Sequence, residues 1–138
     1  MILTRTATAI LIAIGLESVT LAAGLDFEVY RKNVEPIFLK KREGHARCIA
    51  CHEANNSAFH LEGLGPGATA YTEEQSKRNF AFVSHLVVPG DPSRSLLLKH
   101  PLSPEADGDE FHSGGRQFAT RDDPDFKAIA AWISEASK

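Results

Sequence analysis

A small all-α domain is what this sequence predicts. Three observations carry the expectation. Apolar residues recur at helical spacing in separate stretches. Capping residues stand in front of those stretches, two of them followed at once by proline. No part of the chain beyond the N-terminal segment alternates apolar and polar residues at the period of a β-strand.

The first helix is expected over 25–41. Phe27, Tyr30, Val34, Ile37 and Phe38 share one face, and Asp26 stands where an N-cap belongs. Pro36 sits late in the pattern, placed to kink or divide it, and Gly44 can end the segment. A loop is expected over 54–71, centred on Gly63-Leu64-Gly65-Pro66-Gly67. The second helix is expected over 72–83: Thr72 and Gln75 have capping-box spacing, and Phe80, Phe82 and Val83 follow. Pro89-Gly90 turns the chain. Asp91-Pro92 then opens a short helix through Leu96, Leu97 and Leu98, which Pro101 and Pro104 close. Residues 103–121 are polar and glycine-rich and read as a loop. The last helix starts at Asp123-Pro124-Asp125 and buries Phe126, Ile129, Ala130, Trp132 and Ile133.

The 138 residues amount to one domain, and 43% hydrophobic content is ordinary for a globular chain. Net charge is −3. No basic stripe is present, so no nucleic-acid partner is expected, and Lys40-Lys41-Arg42 reads as a solvated helix end. At the N-terminus, Arg5 precedes an apolar run from Ala7 to Leu16, and small residues follow at Ala22, Ala23 and Gly24. This is the layout of a secretory signal peptide, expected over 1–24, with the mature domain over 25–138 outside the cytoplasm, in the periplasm or secreted. The run is short for a membrane span, and a membrane association is expected only if the segment stays uncleaved.

Residues 48–52 read Cys-Ile-Ala-Cys-His. C-x-x-C-H is the attachment signature of c-type haem. On one turn of helix, thiols at this spacing reach neighbouring vinyl groups of the porphyrin and become thioethers. The next residue then presents an imidazole to the iron. Cys48 and Cys51 are therefore expected to hold one haem c covalently, with His52 as the proximal ligand. A disulfide between them would close a very small loop and staple little. A redox dithiol lacks its βαβ setting here, and zinc lacks a second cysteine pair.

The sixth ligand is more open. The sole methionine is Met1, which leaves with the signal segment. The candidates are His45, His60, His85, His100 and His112, or water at an open site. His112 is preferred: it lies in the loop before the last helix, and Gly114 and Gly115 behind it let the backbone approach the haem edge. His100 is the runner-up, and His45 sits too near the proximal turn. Phe38, Phe126 and Trp132 are candidate haem walls, with core packing an equal reading. Arg116 and Arg121 are candidate propionate partners, with solvated arginine as the default. The acidic stretch Asp107, Asp109, Glu110, Asp122 and Asp123 reads as a solvated loop before a docking surface. No nucleophile–base pair and no phosphate loop is present, so no enzyme is expected.

Beyond the motif, the ordered set Val34-Glu35-Pro36-Ile37-Phe38, 47–52, 71–79, Val88-Pro89-Gly90-Asp91-Pro92, 95–102, Phe111-His112-Ser113-Gly114-Gly115 and 122–133 resembles the cytochrome c-like haem-binding domains common in planctomycetes and acidobacteria. The resemblance covers most of the mature chain. It implies a class I-like helical domain wrapped around one haem. It supports His112 through the H-x-G-G element, while His100 in the H-P-L element matches as well. The expected function is one-electron transfer with bis-His ligation, at a lower potential than a His/Met cytochrome, serving redox partner proteins. The alternative is a haem sensor or catalyst with an open distal site for a gas or peroxide. A structural subunit in a multi-haem assembly ranks below both.

Overall fold

The computed structural model describes residues 24–53 and 57–136; the expected signal segment, apart from Gly24, lies outside them. Among the described residues the chain is helical with no strand, and the one extended pairing is an isolated parallel bridge between Leu102 and Phe118. No described helix is long and apolar enough to cross a membrane.

Helix α1 (27–39) begins at Asp26, whose carboxylate accepts the Val29 N–H at 2.9 Å. It divides where Pro36 predicts. Helical turns at Phe27–Val29 and Glu35–Leu39 flank a wider π-helical segment, Tyr30–Val34, in which the Glu35 N–H reaches back five residues to the Tyr30 carbonyl. Proline has no N–H to donate, and its ring crowds the carbonyl four residues back, here that of Lys32; widening the turn relieves both. Tyr30, Val34, Ile37 and Phe38 are buried along one face, as the spacing predicts.

Helix α2 is Cys48–His52 and α3 is Glu73–Ser84, the latter opened by the complete Thr72–Gln75 capping box. Val83 is buried, but Phe82 is 40% exposed and turns its ring edge to His60 instead of joining the core. The expected helix after Asp91 is two pieces. A 3-10 turn, Pro92–Arg94, is separated from α4, Leu96–Lys99, by Ser95 in an extended conformation. The buried Ser95 hydroxyl donates to the Asp91 carbonyl at 2.8 Å and accepts the Val88 N–H at 2.9 Å, competing with a continuous helix. The 103–121 loop is irregular apart from a 3-10 turn at Pro104–Ala106. Helix α5, Pro124–Ser134, is capped by Asp123.

The core forms where α1 crosses α5. Tyr30 meets Trp132 at 5.5 Å and Phe80 at 5.2 Å between ring centroids, and the Trp132 indole N–H donates to the Asp26 carbonyl at 2.9 Å. Burying these rings removes large apolar areas from water while the indole keeps its hydrogen bond. Lys40 and Lys41 are exposed, as a solvated helix end predicts, but a second tie corrects that reading for Arg42. Arg42 pairs with both Asp123 and Asp125 and lies over the Phe118 ring, and Lys40 reaches Asp125 at 2.9 Å. The segment entering α2 is thereby fastened to the start of α5.

Burial would raise the Asp123 carboxyl, but the Arg42 pairing and two backbone N–H groups outweigh it and hold it below the usual range. A carboxylate lowered by folding contributes stability that is present above its unfolded pKa and lost as pH falls through its folded one. Arg42→Gln is accordingly expected to cost about 1–3 kcal/mol in urea unfolding at pH 7. The gap between variant and wild type should shrink at acid pH; a cost that does not change with pH would show that packing, not charge, carries the contact.

Candidate functional site

The α2 turn, the α4 region and the 111–118 loop surround an apolar cleft of about 370 Å³. Ile37 and Phe38 of α1 line it, with Leu86, Leu96, Leu97, Phe118 and Ile129. Cys48, Cys51 and His52 line it too, as do His100, His112 and Gly114. The fold thus gathers every residue of the C-x-x-C-H motif that bears on chemistry, together with both leading candidates for the opposite ligand.

His52 and His112 lie side by side in the cleft with ring centroids 6.3 Å apart and planes 24° from parallel. Both rings are also held in the same tautomer. His52 Nδ1 lies 2.8 Å from the Phe59 carbonyl, and His112 Nδ1 lies 2.7 Å from the Gly115 carbonyl. A carbonyl only accepts, so each Nδ1 carries the proton and donates it, and each Nε2 keeps its lone pair. Fixing a metal-binding histidine through its other nitrogen is the usual way such a ligand is oriented. Burial lowers the His52 pKa and the neighbouring His112 lowers it further, against the Phe59 carbonyl, which favours the proton; the neutral form that ligates is the one favoured.

Each holding carbonyl has its own local cause. After α2 the chain returns so that the Leu61 N–H donates to the His52 carbonyl at 3.0 Å, and Phe59 lays its ring 4.4 Å from that of His52. On the other loop Gly115 takes φ +81°, where glycine alone is unstrained. At Gly114 a Cβ would stand 3.3 Å from His112 Cε1, so the ring would have to give by a few tenths of an ångström. Gln117 ties this loop to the segment before α2 through the Ala46 carbonyl at 3.2 Å.

Cys48 is half-buried and Cys51 exposed, and both are free thiols. Burial pushes the Cys48 thiol up to about 11 despite the Arg42 charge, opposite to the lowered thiol of a redox dithiol. His100 lines the cleft but its Nδ1 engages the Asp109 carboxylate, and its side chain is 48% exposed. His85 is exposed at the end of α3, His60 packs on Phe82, and His45 stands behind Gly115. Of the three aromatic wall candidates only Phe38 lines the cleft. Trp132 packs in the core, and Phe126 stands behind Phe118. Arg121 is engaged by Asp107 and the Ala106 carbonyl, and Arg116 by the Glu110 carbonyl. The acidic stretch is largely neutralised within the chain: Asp107 pairs with Arg121, Asp109 with His100, Asp122 with Lys127 and Asp123 with Arg42.

The sequence reading missed the Phe59 and Gly115 carbonyls, because any residue type supplies a carbonyl. It also missed Phe111, 82% exposed beside His112 at the cleft. An aromatic next to a predicted ligand was the available signal. Among the described residues no group of three or more His, Cys, Asp or Glu side chains converges to hold a metal ion by itself. No family model, no curated protein and no solved structure matches this chain.

The glycine at φ +81° yields a direct check. Gly115→Ala is expected to lower stability by about 1–2 kcal/mol through left-handed backbone strain. Gly65→Ala, where a Cβ meets nothing within 4 Å, should stay near neutral in the same unfolding experiment.

Proposed function

We propose that this chain is an extracytoplasmic c-type cytochrome, a one-electron carrier with a single haem bonded to Cys48 and Cys51 and ligated by His52 and His112. The observation that carries the reading is the C-x-x-C-H turn lining one apolar cleft together with a second imidazole, His112, each ring bonded at Nδ1 to a backbone carbonyl so that its Nε2 is left able to ligate. A protein-only metal site would need further donors, and none converge among the described residues. Haem would need only imidazole ligands, an apolar slot and, for covalent attachment, thiols at its edge. The residues present fit that group: the cleft is apolar, and Cys48 and Cys51 line it beside His52.

Haem bound there would supply a one-electron redox centre. The protein's part would be to hold it through His52 and His112 and to keep water from it. His52 and His112, held by backbone carbonyls, stay in place whichever charge the centre carries, so little rearrangement accompanies the electron. Ile37, Phe38, Leu97 and Phe118 exclude water from the slot. Imidazole in place of thioether sets the potential lower than in a His/Met cytochrome.

Expression with a cytochrome c maturation system should give a protein that retains haem through denaturing electrophoresis, and Cys48→Ala with Cys51→Ala should abolish that retention. The holoprotein should show a six-coordinate low-spin spectrum without a sulfur–iron band, and its ferrous form should resist carbon monoxide at neutral pH. His112→Ala should open the site to carbon monoxide, while His100→Ala should leave the spectrum unchanged. Rapid carbon monoxide binding by the unaltered protein would instead favour a gas- or peroxide-binding haem protein. A strongly positive potential in a redox titration would argue against two histidines.

A further inference from the structure

We propose that Glu35 is a proton-binding site coupled to the electron held in the cleft: its carboxylate takes up one proton from solvent when the site accepts one electron, and returns it on oxidation. The proposal rests on the reading of the cleft as a haem site. The step is balanced: a one-electron reductant supplies the electron, solvent supplies the proton, one O–H bond forms on the carboxyl, and the protein's total charge does not change.

Glu35 is 6% exposed and, among the described residues, forms no salt bridge. It stands on α1 just before Ile37 and Phe38, which line the cleft. Ser76 of α3 donates its hydroxyl to Glu35 Oε2 at 2.7 Å. Tyr30 and Asn79 turn polar groups toward the same carboxyl, and Tyr71 toward Asn79. Glu35 Oε1, the two tyrosine hydroxyls and Asn79 Nδ2 nonetheless fall short of full hydrogen-bond geometry. Three polar side chains around one buried carboxyl can rearrange their bonds when it gains or loses a proton.

The groups that face Glu35 are Tyr30 and Arg31 from α1, Ser76 and Asn79 from α3, and Tyr71 from the turn before α3. Arg31 is the only cation among them and is exposed. Burial raises the carboxyl, and Ser76, Asn79, Tyr30 and Arg31 draw it only partly back. Both tyrosines are pushed up by burial first and then by Glu35, so they stay neutral and do not compete for the charge. Negative charge added to the cleft reaches Glu35 through an apolar interior that screens it weakly. A proton on the carboxyl offsets it. A purely structural Glu35, bridging α1 to α3 through Ser76, would show no such coupling.

The test is a potentiometric titration of the holoprotein against pH. Across the window of coupled protonation the reduction equilibrium should fall tenfold per pH unit, equivalent to 59 mV for one electron. Glu35→Gln should flatten that slope while the low-spin spectrum stays. Infrared difference spectra of the wild-type holoprotein, reduced minus oxidised, should show a protonated carboxyl band gained on reduction and shifted in heavy water. That measurement decides the matter even if the variant fails to fold. A slope that survives Glu35→Gln, or a wild-type protein with neither slope nor band, overturns the proposal and leaves the haem reading intact. A chain that binds no haem overturns both.

Discussion

Two imidazoles, of His52 and His112, stand 6.3 Å apart in one cleft, and each is bonded at Nδ1 to a backbone carbonyl. Here each ring is fixed at Nδ1 by a loop that has to be in place first. The Phe59 carbonyl arrives because 57–61 folds back on α2, and the Gly115 carbonyl because the 112–115 turn uses a left-handed glycine. Both loops are themselves positioned from elsewhere. The Phe59 ring leans on Phe38 of α1 at 5.1 Å, and Gln117 grips the Ala46 carbonyl ahead of α2. The cleft is thus held open by backbone hydrogen bonds, while its walls are supplied by the apolar core.

The ion-pair cluster at the start of α5 has a related purpose. Arg42 is only lightly exposed, and so are the two carboxylates that flank it. Charges in such a place are costly to leave unpaired, so the cluster discriminates strongly between docked and undocked positions of the 40–47 segment. Asp123 also caps α5, which makes one residue the start of a helix and the anchor of a distant loop. Phe118, beneath the Arg42 guanidinium, belongs at once to this cluster and to the cleft wall. The interior of this small domain is shared closely between fold and site.

A second polar interior lies across α1 from the cleft. Glu35, Ser76, Asn79 and the two tyrosines occupy a region where apolar side chains would pack more simply. The π-helical turn ahead of Pro36 runs from Tyr30 to Val34, so it shapes the approach of Tyr30 to Glu35 as well as relieving the proline. A single backbone irregularity therefore bears on both the core and the buried carboxyl.

The sequence by itself determined the helices and the attachment motif. Caps, proline positions and apolar spacing are local signals, and Asp26, Thr72, Asp91 and Asp123 all cap as their side chains dictate. The motif was legible for the same reason, since its chemistry lies within five consecutive residues. Where reading failed, a side chain had found another partner. Phe82 turned outward toward His60, Ser95 broke a helix by bonding back to Asp91 and Val88, and Arg42 left solvent for the distant Asp123 and Asp125. The choice among five histidines also lay beyond local signals. The sequence preferred His112 to His100 but could not place either ring. The tertiary structure set His100 against Asp109 and put His112 beside His52, its Nδ1 bonded to the Gly115 carbonyl. The placing of side chains far apart in the chain is a relation that only the folded backbone supplies.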